Sequence, residues 1–352
     1  MNTKIFKKAL IPIGACLIIG LPILLKKDEV KPLKKTPLIA EKAKRPVKKV
    51  KKEKPPRKAS LLRITANLPK HQRNLQILNE IAYMNPSSAV KTLVGLGEKV
   101  DFKTRMAALN KLTKSIDETD SKALLEFMQT QYSPDLEMRE IAFNAVKNDV
   151  LNLLLRQHER VDGVGGVLVD IANDDSYGEM WRDYAIQFMP SYYEQAFDRE
   201  QAYESGQDNE RDDILNTLWE FAENRESQSS ATALLALKDL AGNYKEIDQL
   251  RIVETAMDIV NDGTTPLGPR ITALRLASNK ELQTDEGATE YFGENVRIIA
   301  QTGENIVLRM SAVATLGEIG NVDDAEFLEG LLGHKDKNMV KVAQAALDGL
   351  KN

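Results

Sequence analysis

Cysteine is almost missing from this chain. Its one occurrence in 352 residues is Cys16, inside an apolar run near the N-terminus. No intramolecular disulfide can form, and no cysteine-based zinc site is available to the rest of the chain. Histidine is scarce too: His71, His158 and His334 stand far apart, so metal chemistry has no visible basis. Aromatics make up 6% of residues, and alanine and leucine do most of the apolar work, as in helical folds. No convincing alternation of apolar and polar residues marks a strand. No Ser-His-Asp or Cys-His arrangement is readable. Gly163, Gly165 and Gly166 cluster, but no Gly-Lys-Ser/Thr follows, so they read as a turn opening a helix over 164–171 and not as a phosphate loop. Carboxylates are so abundant that no pair stands out as an acid/base couple. The expectation is a protein that is not an enzyme and holds no cofactor or metal.

Charge is divided, not absent. Residues 1–58 carry 18 Lys/Arg against 4 Asp/Glu, while the remainder carries 30 against 48. The arm is therefore at +14 and the body at −18, and the net charge of −4 describes neither. An acidic body argues against nucleic acid as its ligand, because phosphates need a basic surface. It favours a protein or peptide partner that carries basic residues. The basic arm suits anionic lipid headgroups, another polyanion or the body's own acidic face.

Four regions follow in order. Residues 1–8 are a basic head. Residues 9–25 run seventeen positions without a charge, the short end of a membrane-spanning helix. Lys26 and Lys27 come at once and no small-x-small cleavage site follows, so an uncleaved single-pass signal anchor is expected. A lipoprotein signal ending at Cys16 fits poorly, since nine more apolar residues follow it. Residues 26–58 are rich in Lys and Pro and read as an extended, disordered spacer. Eight Lys/Arg between Lys26 and Arg45 favour a cytoplasmic body by the positive-inside rule. The basic head and apolar run look like an export signal instead, and long Lys/Pro spacers resemble those of bacterial inner-membrane proteins that reach outward. An extracytoplasmic body is the expectation. Residues 61–352 are the fourth region.

In that region apolar residues recur at i, i+3, i+4 and i+7, and breaks fall every ten to fifteen residues at Asn, Asp, Gly or Pro. One stretch repeats. Arg309-Met-Ser-Ala312-Val-Ala-Thr-Leu316 has counterparts beginning at Arg105, Arg139, Arg182, Ser230, Arg270 and Ala343. Each places an alanine three residues on and an apolar residue four after that. A second apolar helix precedes each copy after the first. The unit is helix, short turn, helix, at intervals of 34 to 48 residues, and such periods signal stacked helix pairs.

On these residues the chain resembles HEAT-repeat proteins over roughly 70–352, most closely in the last two units, where Leu316 to Asn321 reads L-G-E-I-G-N. The resemblance implies an all-α, right-handed solenoid of about seven helix pairs. It implies a scaffold or adaptor. Catalytic relatives of the architecture include bilin-attachment lyases and DNA-alkylation glycosylases, which the cysteine-free, acidic body fits badly. An envelope-structural protein whose spacer binds a polyanion is the other alternative.

Arg105, Arg139, Arg182, Arg270 and Arg309 are expected to form a structural ladder along the stack, with Asp101, Asp135 and Asn305 as helix caps. The longest interval, 182 to 230, is crowded with aromatics. Tyr177, Trp181, Tyr192, Tyr193, Phe197 and Tyr203 are the candidate partner-binding residues, because aromatic anchors dominate interface energetics. A larger local core is the competing expectation, strongest for Trp181, Tyr184 and Phe188.

Overall fold

The computed structural model describes residues 68–112, 116–157, 160–197, 209–279, 282 and 286–350. The head at 1–8, the expected anchor at 9–25, the spacer at 26–58 and Tyr203 lie outside the described residues. Among the described residues, no helix is long and apolar enough to cross a membrane.

The fold is all-α. The described α-helices are α1 (Lys70–Ile81), α2 (Pro86–Leu96), α3 (Phe102–Asn110), α4 (Glu118–Gln129), α5 (Glu140–Leu155), α6 (Val164–Asn173), α7 (Glu179–Ala196), α8 (Asn209–Glu223), α9 (Ser230–Ala241), α10 (Gln249–Asn261), α11 (Leu267–Ala277), α12 (Glu286–Thr302), α13 (Ile306–Ile319), α14 (Asp324–Gly330) and α15 (Lys337–Leu350). Short polar residues start several of them by giving orphan amides an acceptor. The Asp101 carboxylate accepts from the Thr104 amide at 2.9 Å, and the Asn305 side chain accepts from the Val307 amide at 2.9 Å. Gly163 opens α6 at φ 82°, so the glycine cluster is the helix-opening turn read from the sequence.

Each repeat copy lies on an odd-numbered helix from α3 to α15, and the even-numbered helix before it packs against it. Contacts also run along each series. Each odd helix from α1 to α15 touches the next odd one, and each even helix from α2 to α12 touches the next even one. The core lies between the two rows. The repeated alanines, Ala108, Ala142, Ala185, Ala233, Ala273, Ala312 and Ala346, are all buried, because a methyl group lets helix axes approach closely. Helices α13 and α15 approach closely. A Cβ on Gly317 would stand 2.5 Å from the Ala346 Cα, and one on Gly349 would stand 2.5 Å from the Gly317 carbonyl oxygen.

The arginines do not make one ladder. Arg105, Arg182, Arg270 and Arg309 each occupy the fourth position of their helix. Three of them reach back to a carbonyl ahead of their own helix, Arg105 to the α2–α3 connection and the other two to the last turn of the preceding helix. Arg105 donates to the Val100 carbonyl at 2.8 Å, Arg270 to the Val260 carbonyl at 2.9 Å and Arg309 to the Ala300 carbonyl at 3.2 Å. A cation at a helix C-terminus satisfies orphan carbonyls and opposes the negative end of the dipole. Arg182 pairs instead with Asp175 in the preceding turn. Arg139 is the exception. The helix α5 starts one turn later against the motif than α3 or α7 does. Arg139 is therefore left at the N-cap, exposed, paired with Glu98 at 2.6 Å. Asp135 sits in the loop before it and does not cap α5. These contacts lock pairs internally and do not run as a row along the stack.

Candidate functional site

Most of the aromatic candidates are core. Trp181 and Tyr192 are 1% exposed, Tyr193 0% and Phe197 8%, so none of the four can anchor a partner from the surface. Tyr177 is half-buried. The helical spacing that put them on one stretch also turned them inward. Tyr193 and Tyr244 meet edge-to-face with centroids 4.8 Å apart, and Tyr193 meets Phe197 at 5.0 Å. The phenols are tied to charges. Tyr192 donates to Glu210 at 2.8 Å, Tyr193 donates to Glu246 at 2.9 Å, and Arg211 donates to the Tyr193 oxygen at 2.6 Å while pairing with Glu246. Burial pushes both phenols upward from the ordinary tyrosine range. This network joins α7, α8 and the α9–α10 connection, and its phenols have the partners that buried hydroxyls require.

The better site lies where α5 departs from its register. Two connections, 130–139 and 174–178, run side by side and are pinned to each other. Gln131 donates to the Ser176 hydroxyl at 2.7 Å, and the Tyr177 hydroxyl donates to the Gln129 carbonyl at 2.8 Å. They frame two adjacent clefts at the N-terminal ends of α5 and α7. The first, of about 120 Å³, is lined by Gln131, Tyr132, Glu140, Asn144, Lys147 and Trp181, with the 176–178 turn. The second, of about 360 Å³, is lined by Glu140, Ile141, Asn144, Gly178, Glu179 and Met180. Glu140, Asn144 and Gly178 belong to both.

Lys147 fills the inner end of the first cleft. Its ammonium sits 5.2 Å from the Phe143 ring centroid, 5.4 Å from Tyr177 and 5.0 Å from Trp181. Ring faces attract a cation, but they do not replace water around three N–H donors. Burial alone drives the amine down from 10.5 to about 7. Trp181 carries a second unsatisfied donor, since its indole Nε1 is buried with no hydrogen-bond acceptor. The second cleft is different in kind. Ile141 and Met180 are 57% and 45% exposed, and Phe102 and Met106 on α3 are exposed apolar side chains as well. Glu140 and Glu179 immediately precede Ile141 and Met180, and neither has an ion-pair partner among the described residues.

Neither Lys147 nor the Glu140–Glu179 pair was singled out by sequence reading. The signal for Lys147 was present: it takes an i+4 place on the buried face of α5, after Phe143 and before Val150 and Leu151. Among the described residues, no group of His, Cys, Asp and Glu is placed to hold a metal ion.

No family model matches the sequence, and no curated protein matches it. Among solved structures the chain is similar to an engineered protein determined by the Northeast Structural Genomics Consortium. Identity is 17%, over 79% of this chain and 71% of that one, with a TM-score of 0.36, too slight a likeness to bear on function.

Proposed function

We propose that the chain is a right-handed, HEAT-like α-solenoid that holds a protein or peptide partner and performs no catalysis. Two series of helices in contact from one to the next, with a buried alanine at each repeat, support the solenoid. The observation that carries the binding role is the exposed apolar pair Ile141 and Met180, which line one cleft at the starts of α5 and α7, with Phe102 exposed at the start of α3. Phe102, Ile141 and Met180 stand in solvent there although the core beneath them is closed. Exposed apolar residues that continue from element to element mark interaction surfaces. The unpaired Glu140 and Glu179 beside the second cleft, and the −18 balance of the body, favour a segment with a basic residue next to an apolar one.

The anchor and spacer complete the proposal. Residues 9–25 would tether the scaffold as a single pass, residues 26–58 would set its reach, and the body would lie outside the inner membrane of a bacterium. A reporter fused after residue 60 reads the side directly.

The binding surface is tested by photo-crosslinking in native membranes. A crosslinking residue at Met180 of the full chain should capture one discrete partner, and Ile141→Asp should abolish that capture. The same residue at Val322, which is 86% exposed and far along the chain, serves as control. Equal capture from both positions, or capture indifferent to Ile141→Asp, would overturn the assignment.

A further inference from the structure

The inner cleft has an imbalance that the scaffold role leaves unused. A lysine lines it and no acceptor answers its ammonium. Lys147 is 1% exposed, and among the described residues its ammonium makes no hydrogen bond or ion pair. The Trp181 indole N–H is buried beside it with no acceptor. Buried donors are satisfied in the great majority of proteins, and one left unpaired costs about 1–3 kcal/mol. The cleft holds about 120 Å³, against about 30 Å³ for one water in the liquid, so a group larger than a single water fits.

We infer that the cleft between α5 and α7 is a binding site for a small monocarboxylate, whose oxygens accept from the Lys147 ammonium beside the Trp181 ring. Glu140 lines the same cleft and opposes a second negative charge, so a dicarboxylate is disfavoured. The titratable groups around the amine are Glu140 on α5, Tyr132 on the 130–139 connection and Tyr177 on the 174–178 connection. None of them lies in ion-pair contact with Lys147. A carboxylate binds the protonated amine, so occupancy takes up a proton. Affinity should fall as pH rises past about 7, approaching tenfold per pH unit.

The chain has two tryptophans, Trp181 and Trp219, which makes the test selective. Indole N–H resonances of the ¹⁵N-labelled chain are followed during titration with propionate and, separately, with propionamide. Trp181→Phe assigns the peaks. The Trp181 resonance should move saturably with propionate and not with propionamide, while Trp219 stays in place. Lys147→Met should remove the response. An acetylated dipeptide with a free C-terminus, compared with its amide, tells whether the carboxylate comes from a free acid or from a chain end. Response to either carboxylate and not to its amide supports the site. No response to either carboxylate, or an equal response to the amides, overturns it. An affinity unchanged between about pH 6 and about pH 8 overturns it as well, because Lys147 would then play no part.

Discussion

Replacing Lys147 by methionine should make the protein more stable, although it deletes a charged side chain from the middle of a helix. Lys147 is 1% exposed and caged by three rings. Burial lowers its amine from the ordinary 10.5 to about 7. The unfolded chain holds that proton up to about 10.5, whereas the folded chain lets it go near 7. Between those limits the unfolded state binds more protons, so folded-state stability rises with pH; the full cost is present below about 7. At 1.36 kcal/mol for each tenfold change in proton affinity, that cost is on the order of 5 kcal/mol. Methionine keeps the reach of the side chain, removes the amine and sets a polarizable sulfur among the same rings. Lys147→Met should therefore stabilise by roughly 2–4 kcal/mol near pH 7, and the gain should shrink as pH climbs towards 10. Urea unfolding read by Trp181 fluorescence, in a Trp219→Phe background, measures both. The comparison is made between variants at each pH, so the titration of Tyr192 and Tyr193, common to both, cancels. A variant less stable than the parent at pH 7, or a difference that stays constant with pH, would refute the reasoning.

Three further outcomes follow from the contacts between helices. Arg270→Met should cost about 1–2 kcal/mol by freeing the Val260 carbonyl at the end of α10. Arg139→Ala should leave thermal stability unchanged, because the Arg139–Glu98 pair is exposed; equal losses from both would restore the idea of a continuous ladder. Gly317→Ala should destabilise by roughly 2–3 kcal/mol, since its methyl would meet backbone of α15 at 2.5 Å. Hydrogen exchange should show the loss concentrated in α13 and α15, and protection lost evenly across α3 to α15 would count against that contact.

Much of the fold was legible because helical burial writes a period into the chain. The alanines at 108, 142, 185, 233, 273, 312 and 346 marked the helices, and all seven are buried. What each arginine touches was not legible. Arg105 and Arg139 have the same motif around them, yet one is 5% exposed on a carbonyl and the other stands in solvent. The difference is where the helix begins, and helix starts depend on the connection before them, here the ten-residue loop 130–139. The aromatic cluster misled for a related reason. A crowded run of Trp, Tyr and Phe carries the same letters whether it faces a partner or the core, and tertiary contact decides. Lys147 was overlooked because a lysine within an apolar period normally reads as a surface residue that has slipped a place.

The late start of α5 has a consequence for recognition. A chain of like units offers a ligand several near-equivalent addresses, and binding would then be spread along its length. Helix α5, and α9 to nearly the same extent, begin late against the motif, and that breaks the equivalence. The turn missing ahead of Glu140 is where both clefts border α5, and the exposed Arg139 is its trace in the sequence. Of the late-starting helices it is α5 that borders the clefts, so the proposed partner would find its register there.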